Sequence, residues 1–181
     1  FFIKLLINKI YEIGWKSYQK NLPVNRAMPF FLDLDKSSIN NYTLAWAQKN
    51  GWMWQIPTQE RIGAGYVYCD EFSSPEQAKL EIEKVLGQEI QPRNDIKFTS
   101  GRIEKSWVKN CIAIGLASGF LEPLEATSIH STLIQMILFA KDYLKEEMDF
   151  KNNSISDEFN NRVGKQFDDF MIFLNAHYIS E

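Results

Sequence analysis

Two cysteines, two histidines and no excess of positive charge are what this 181-residue sequence has little of, and each scarcity closes a class of function. Cys69 and Cys111 lie far apart, with no C-x-x-C and only His130 and His177 to join them, so neither a disulfide framework nor a zinc site is expected. A net charge of −3 leaves no basic stripe to neutralise phosphates, which argues against a nucleic-acid partner. There is no G-x-S-x-G, and no cysteine stands at a known spacing from a histidine, so no nucleophilic triad is assembled. Long apolar runs are missing too. The opening FFIKLLINKIYEIGW interleaves Lys4, Asn8, Lys9 and Glu12 with Phe2, Ile3, Leu6, Ile10 and Ile13. That is an amphipathic helix that packs on protein, too polar for a membrane span and without the unbroken core of a signal peptide. A reduced, cytoplasmic setting without membrane contact is the expectation.

What is present is enough hydrophobic residue, 45% with 14% aromatic, to bury one sizeable core. The fold class reads as α+β. From Leu22 to Tyr68, Pro23, Pro29 and Pro57 break up any long helix, and strands and loops are expected, with one short helix over Tyr42–Lys49. Trp52, Trp54 and Ile56 alternate with Met53 and Gln55, so a strand would set both indoles on one face. Tyr66, Val67 and Tyr68 form a second strand that would pair with it through Thr58–Ile62, and Arg61 reads as a surface ion-pair former. Ser74-Pro75-Glu76-Gln77 spells a capping box with proline at the first helical position, and Gly87 ends that helix. Its run Glu81, Glu83, Lys84 reads as a solvated face. Further strand is expected at Ile96–Phe98 and Ser106–Ile114, a polar loop over Lys145–Ser156, and a last helix marked by Phe159, Val163, Phe167, Phe170 and Leu174.

Chemistry concentrates between Gly115 and His130. The short apolar run Asn110–Ile114 ends at Gly115, and Gly115, Ala117, Ser118 and Gly119 allow a tight path that a large flat group could approach. Glu125 follows as a carboxylate expected to be buried. A helix should start at Thr127 or Ser128, capped by one of those hydroxyls, with Ile129, Leu133, Ile137, Ala140 and Leu144 as its apolar stripe. The amides of its first turn suit a small anion. From these residues alone, a packing turn and a carboxylate favouring a helix N-terminus remain the plainer account, and His130 and His177 read as packing histidines.

Resemblance changes the weighting. The run SGRIEKSWVKNCIAIGLASGFLEPLEATSIH (Ser100–His130) and the run GWMWQIPTQERIGAGYVY (Gly51–Tyr68), which holds W-x-W-x-I-P from Trp52 to Pro57, resemble the flavin-dependent halogenases of the tryptophan halogenase family. LPVNRAMPF (Leu22–Phe30) and FNNRVGKQFDDFMIFLNAHY (Phe159–Tyr178) extend the likeness over nearly the whole chain. The resemblance implies part of a flavin-monooxygenase-like fold: antiparallel strands with the last strand of the FAD domain over about 16–126, and a helical substrate lobe over about 127–181. It implies FAD, reduced by a separate flavin reductase, and a halide ion that is oxidised to hypohalous acid and delivered to a small electron-rich aromatic such as tryptophan or another indole. Glu125 matches the glutamate that takes the proton from the arenium intermediate. Thr127 and Ser128 match the pair whose amides hold halide, and Leu116 and Ile129, with Gly115 and Ala117 beside them, match the flavin-contacting turn. Trp52, Trp54 and Pro57 match the segment that keeps substrate from the flavin. Ala126 stands where tryptophan-specific members often carry serine, and Ser128 where glycine is common.

No G-x-G-x-x-G occurs in these residues, and the lysine essential to the family lies in the N-terminal half that carries that motif, so Lys4, Lys9, Lys105 and Lys109 are not assigned its role. With Phe1 first and Glu181 last, the expectation is an internal region of a longer protein, inactive alone, partnered by that N-terminal half and open to homodimer formation. A flavin-dependent aromatic hydroxylase and a non-catalytic binding module are the alternatives.

Overall fold

The computed structural model describes residues 7–37, 39–144 and 153–179, and the chain divides into two compact units. Phe1–Leu22 and Thr99–Glu181 make one, and Pro23–Phe98 makes the other. Of the opening amphipathic segment, α1 (Ile7–Tyr11) is helical, while Phe2, Ile3, Lys4 and Leu6 lie outside the described residues. A short strand β1 (Trp15–Ser17) follows it.

The Pro23–Phe98 unit is an antiparallel sheet backed by one helix. Strands β2 (Arg26–Leu32), β3 (Leu44–Gln48), β4 (Gly51–Pro57), β5 (Ile62–Tyr68) and β6 (Ile96–Lys97) are ordered β3-β4-β5-β2-β6, and α2 (Pro75–Leu86) supplies the helix. Met28, Phe30, Met53, Ala64, Tyr66 and Tyr68 meet Ala78, Ile82 and Ile90 in one buried cluster. Pairing therefore sends Trp52, Trp54 and Ile56 to the opposite face, as the alternation in β4 implies. The expected hairpin is present, with Pro57 opposite Ile62.

The expected helix at Tyr42–Lys49 is instead strand β3. A two-residue turn, Lys49-Asn50, folds Gln48 back onto Gly51, and pairing along β4 overrides the weak helical preference of an alanine-containing segment. Glu81 holds that turn: its carboxylate accepts from the Lys49 amide (3.0 Å), Asn50 Nδ2 (3.1 Å) and the Tyr66 hydroxyl (3.1 Å). Glu83 likewise accepts from the Ile90 amide at 3.0 Å. These two acids are ties between elements, not the solvated face their sequence suggests. The capping box of α2 is present as written, with Ser74 Oγ accepting from the Gln77 amide (3.3 Å), Gln77 Oε1 from the Ser74 amide (2.9 Å), and Gly87 at the C-cap. Arg61 forms no ion pair among those described; its guanidinium lies 3.6 Å from the centroid of Phe31 as a cation–π contact.

In the other unit β1 pairs with β7 (Gly101–Ile103), and β7 with β10 (Gly119–Phe120), all antiparallel. The expected strand over Ser106–Ile114 is a tight hairpin, β8 (Trp107–Val108) and β9 (Cys111–Ile112), because Lys109 adopts φ 53° and turns the chain back. Two longer helices complete the unit, α3 (Thr127–Leu138), extended by a π-helical turn at Phe139–Tyr143, and α4 (Asn153–Ala176). Of the loop expected at Lys145–Ser156, residues 145–152 lie outside the described set, and Asn153–Ser156 are already helix. There the Ser156 hydroxyl donates back to the Asn153 carbonyl at 3.0 Å, which satisfies a polar side chain inside the turn.

Helix α4 buries Phe159, Val163, Phe167 and Leu174, the stripe expected from its periodicity, although Phe170 is only half-buried. Gly119 and Gly164 let it approach closely, since a methyl at the first would meet the Phe167 ring at 2.7 Å and one at the second the Arg102 guanidinium at 3.1 Å. Arg102 then donates to the Tyr18 hydroxyl (2.9 Å), Asp168 (3.4 Å) and two main-chain carbonyls, and Lys16 donates to Asp168 at 2.9 Å. Burial would raise the Asp168 carboxyl, but hydrogen bonds from Tyr18, Lys16 and Arg102 outweigh it and hold it at about 2.

Candidate active site

The segment from Gly115 to His130 is pinned from behind by a helix that faces it with polar groups. Gly115–Ala117 form a single 3₁₀ turn that starts at φ 65° on Gly115, a left-handed value suited to glycine. The Gly115 amide donates to Gln135 Oε1 at 2.9 Å. Ser118 Oγ lies 2.9 Å from that oxygen and 2.8 Å from the Gly115 carbonyl, so its single proton serves one of them at a time. Gln135 is wholly buried, and Thr127 and Ser131 continue its face of α3 at four-residue spacing.

The apolar stripe read from the spacing of α3 is consequently its outer face. Ile129 is 67% exposed, and Leu133, Ile137 and Leu144 are exposed as well. Leu116 of the 3₁₀ turn, 50% exposed, adds to this apolar surface on an element packed against α3. Of the two histidines, His130 sets its ring edge-on to Phe170 (5.5 Å) and His177 to Phe173 (4.9 Å), both in packing roles.

Two carboxylates share the stretch Glu122-Pro123-Leu124-Glu125, and the one expected to be buried, Glu125, is not the buried one. Glu125 is exposed; Glu122 is the buried one, 1% accessible, with the Tyr178 hydroxyl at 2.8 and 2.7 Å from its two oxygens. Burial pushes the Glu122 carboxyl up to about 7 against the opposing pull of Tyr178 and of His177. Sequence reasoning missed this residue, whose partner lies 56 positions away.

Glu125 and Ala126 both adopt left-handed backbone, at φ 60° and φ 48°. Neither is glycine or asparagine, and such conformations cost on the order of 1–3 kcal/mol each and persist where the surroundings impose them. The helix start expected at Thr127 or Ser128 falls at Thr127, but neither hydroxyl caps it. Ala126 holds the cap position with no side-chain hydrogen bond, which leaves the Thr127 and Ser128 amides in an uncapped first turn. A small anion satisfies such amides.

In the Pro23–Phe98 unit, Trp52 and Trp54 stand side by side, with centroids 6.0 Å apart and planes tilted by 56°. Trp52 is buried, with its Nε1 unpartnered among the described residues, and Pro57 closes β4. The Trp54 ring lies across Gly65, where a methyl group would meet Cη2 at 2.0 Å. Gly65→Ala is therefore expected to displace the indole and cost about 1–3 kcal/mol. An unchanged urea midpoint and tryptophan emission would contradict this packing.

The family model for tryptophan halogenases matches residues 2–181. The chain belongs to the tryptophan halogenase family. Among curated members, tryptophan 6-halogenase ThaL of Streptomyces albogriseolus is 35% identical over 96% of this chain and 33% of its own length. The crystal structure of the tryptophan 6-halogenase SttH from Streptomyces toxytricini superposes with a TM-score of 0.84 at 35% identity, covering 94% of this chain and 34% of that one. BrvH, a flavin-dependent halogenase from Brevundimonas sp. BAL3, superposes with a TM-score of 0.83 at 31% identity, over 94% and 34%. This halogenase-family chain thus spans about a third of the length of the curated relatives it matches, and its α+β architecture of antiparallel sheets and helices is theirs. No described helix is long and apolar enough to cross a membrane.

The Glu122 carboxyl also makes stability depend on pH. Its folded value of about 7 stands above the ordinary 4.5, so the folded state keeps a proton that the unfolded chain has released between those values. Its stabilising contribution is full below pH 4.5 and is lost as pH rises to about 7, by roughly 3 kcal/mol in all. Asp168 acts oppositely, losing its contribution as pH falls from 3.8 to about 2. Urea midpoints at pH 5 and pH 8 should differ in the native chain and converge in Glu122→Gln; an equal difference in both would contradict the assignment.

Proposed function

We propose that this chain carries the halogenating site of a flavin-dependent halogenase acting on an electron-rich aromatic such as tryptophan or another indole. The observation that carries the proposal is the junction at Glu125–Ser128: an exposed carboxylate on strained left-handed backbone, followed at once by two amides of an uncapped helix start. In this reading, about 16–126 and about 127–181 are the strand-rich and helical parts of a flavin-monooxygenase-like fold, the first of them holding the last strand of its FAD domain.

The exposed apolar surface of Leu116 and Ile129, beside Gly115 and Ala117, fits the face of a flat ring, and these residues would hold the flavin. When bound, reduced flavin with oxygen supplies the oxidising power that converts halide into an electrophile; a separate reductase provides the reduced form. Thr127 and Ser128 would hold the halide by their main-chain amides, partly dehydrated and in fixed position, which is where the rate advantage of alignment comes from. Glu125 takes the proton that the ring releases after halogen has added to carbon, a task whose demand is on position. Trp52, Trp54 and Pro57 would form a wall that keeps the aromatic substrate away from the flavin.

The complete reaction belongs to a protein of the relatives' full length, and the 181-residue chain by itself is proposed to be inactive, since it holds no G-x-G-x-x-G. The test is to supply such a full-length protein with a flavin reductase, NADH, FAD, oxygen and bromide, and a panel of indoles and phenols. Brominated product supports the proposal. Hydroxylated product would turn the assignment to an aromatic hydroxylase, and flavin binding with no turnover to a binding module.

A further inference from the structure

We infer that Glu122 is a positioning residue of this site, and that its grip on the Tyr178 hydroxyl sets where Glu125 and the Thr127 and Ser128 amides stand. The inference rests on the reading of those three residues as the site. At 1% accessibility, Glu122 cannot meet a substrate, so a direct part in the chemistry is closed to it. A buried carboxylate is costly to keep unless it is hydrogen-bonded, and here both oxygens face one hydroxyl. The bond crosses from the loop after β10 to the residues just past α4, so it joins the reactive loop to the longest helix of its unit.

The geometry between the two carboxylates explains why such a tie matters. The Leu121 carbonyl accepts from the Ser100 hydroxyl, and Leu121, Leu124 and Thr127 are all buried. Within those anchors Glu125 and Ala126 are left-handed, a pair of conformations that relaxes if an anchor gives way. Glu122 is the anchor that carries charge. The titratable groups acting on it are Tyr178, which donates to it, and His177 beside it, while Glu125 lies three residues on in its own loop. Loss or gain of its proton changes the hydrogen bond to Tyr178, and the three residues between Glu122 and Ala126 transmit that change to the amides.

The experiment is a pH series of ¹⁵N–¹H spectra of the whole chain from pH 5 to pH 9, for the native sequence, Glu122→Gln and Tyr178→Phe. The amides of Glu125, Ala126, Thr127 and Ser128 should shift together in the native chain with a midpoint near 7. Glu122→Gln should abolish that transition. Tyr178→Phe, which removes one hydroxyl and stands in should the first variant not fold, should move the midpoint upward, because the bond favours the charged carboxylate. Amides silent between pH 6 and pH 8 in the native chain would overturn the inference, as would a transition unchanged in either variant. Bromide added to the native chain separates this from the halide reading: no response at Thr127 and Ser128 beside an intact pH transition removes the halide site and supports the tie.

Discussion

Glu125→Gln, placed in a protein of the relatives' full length, is expected to lower the rate of bromination by ~10²-fold or more while leaving flavin affinity unchanged. Glutamine keeps the length and shape of the side chain and loses its charge and its ability to accept a proton. The position is exposed, so the change buries no unpaired group, and the φ of 60° is demanded equally of both residues. The structural loss is then confined to the charge at the helix N-terminus, about 0.3–1 kcal/mol of stability, which leaves the rate to report the chemical role. If Glu125 acts after halogen has added to the ring, turnover falls with little change in the Michaelis constant for the aromatic. A variant with native turnover would show that Glu125 merely stabilises the N-terminus of α3 through its charge, an effect of about 0.3–1 kcal/mol.

Gln135→Ala carries the largest expected cost in stability, about 3 kcal/mol. Gln135 is fully buried, and its oxygen is the acceptor for the Gly115 amide. Truncation leaves that amide unsatisfied, at about 1–3 kcal/mol, and opens a cavity where the side chain stood. The damage should be local to the 3₁₀ turn that presents Leu116, so flavin affinity falls along with the urea midpoint. Gln135→Met fills the volume without restoring the acceptor and recovers only the packing part. An unfolding free energy within about 0.5 kcal/mol of native for Gln135→Ala, measured by urea titration, would mean that water replaces the amide oxygen.

Why some of this was legible in the chain and some was not follows from the range of the forces involved. The capping box at Ser74 and Gln77 closes within one helical turn, and the alternation of Trp52, Trp54 and Ile56 expresses the two-residue period of a strand, so both can be read locally. Periodicity at Ile129, Leu133 and Ile137 likewise announces a helix, but not which side is buried. The opposite side prevails because Gln135 satisfies a buried amide of the 3₁₀ turn, a partner 20 residues away. The same limit separates Glu122 from Glu125. Nothing within Glu122-Pro123-Leu124-Glu125 distinguishes them, and the Tyr178 hydroxyl that claims the first is supplied by the far end of α4. Left-handed backbone at Glu125 and Ala126 carries no glycine or asparagine signal, since it is imposed by the anchors around it. At Tyr42–Lys49 the strand is fixed by its partner across the Lys49-Asn50 turn rather than by its own composition.

The most direct test of the proposed halogenating site is where a heavy halide binds. Crystals of the full-length protein with FAD, soaked in bromide and measured at the bromine absorption edge, should show an anomalous peak within hydrogen-bond distance of both the Thr127 and Ser128 amides and on the Glu125 side of the α3 N-terminus. Ordered bromide elsewhere, with none at those two amides, would contradict the assignment of this junction as the halide site.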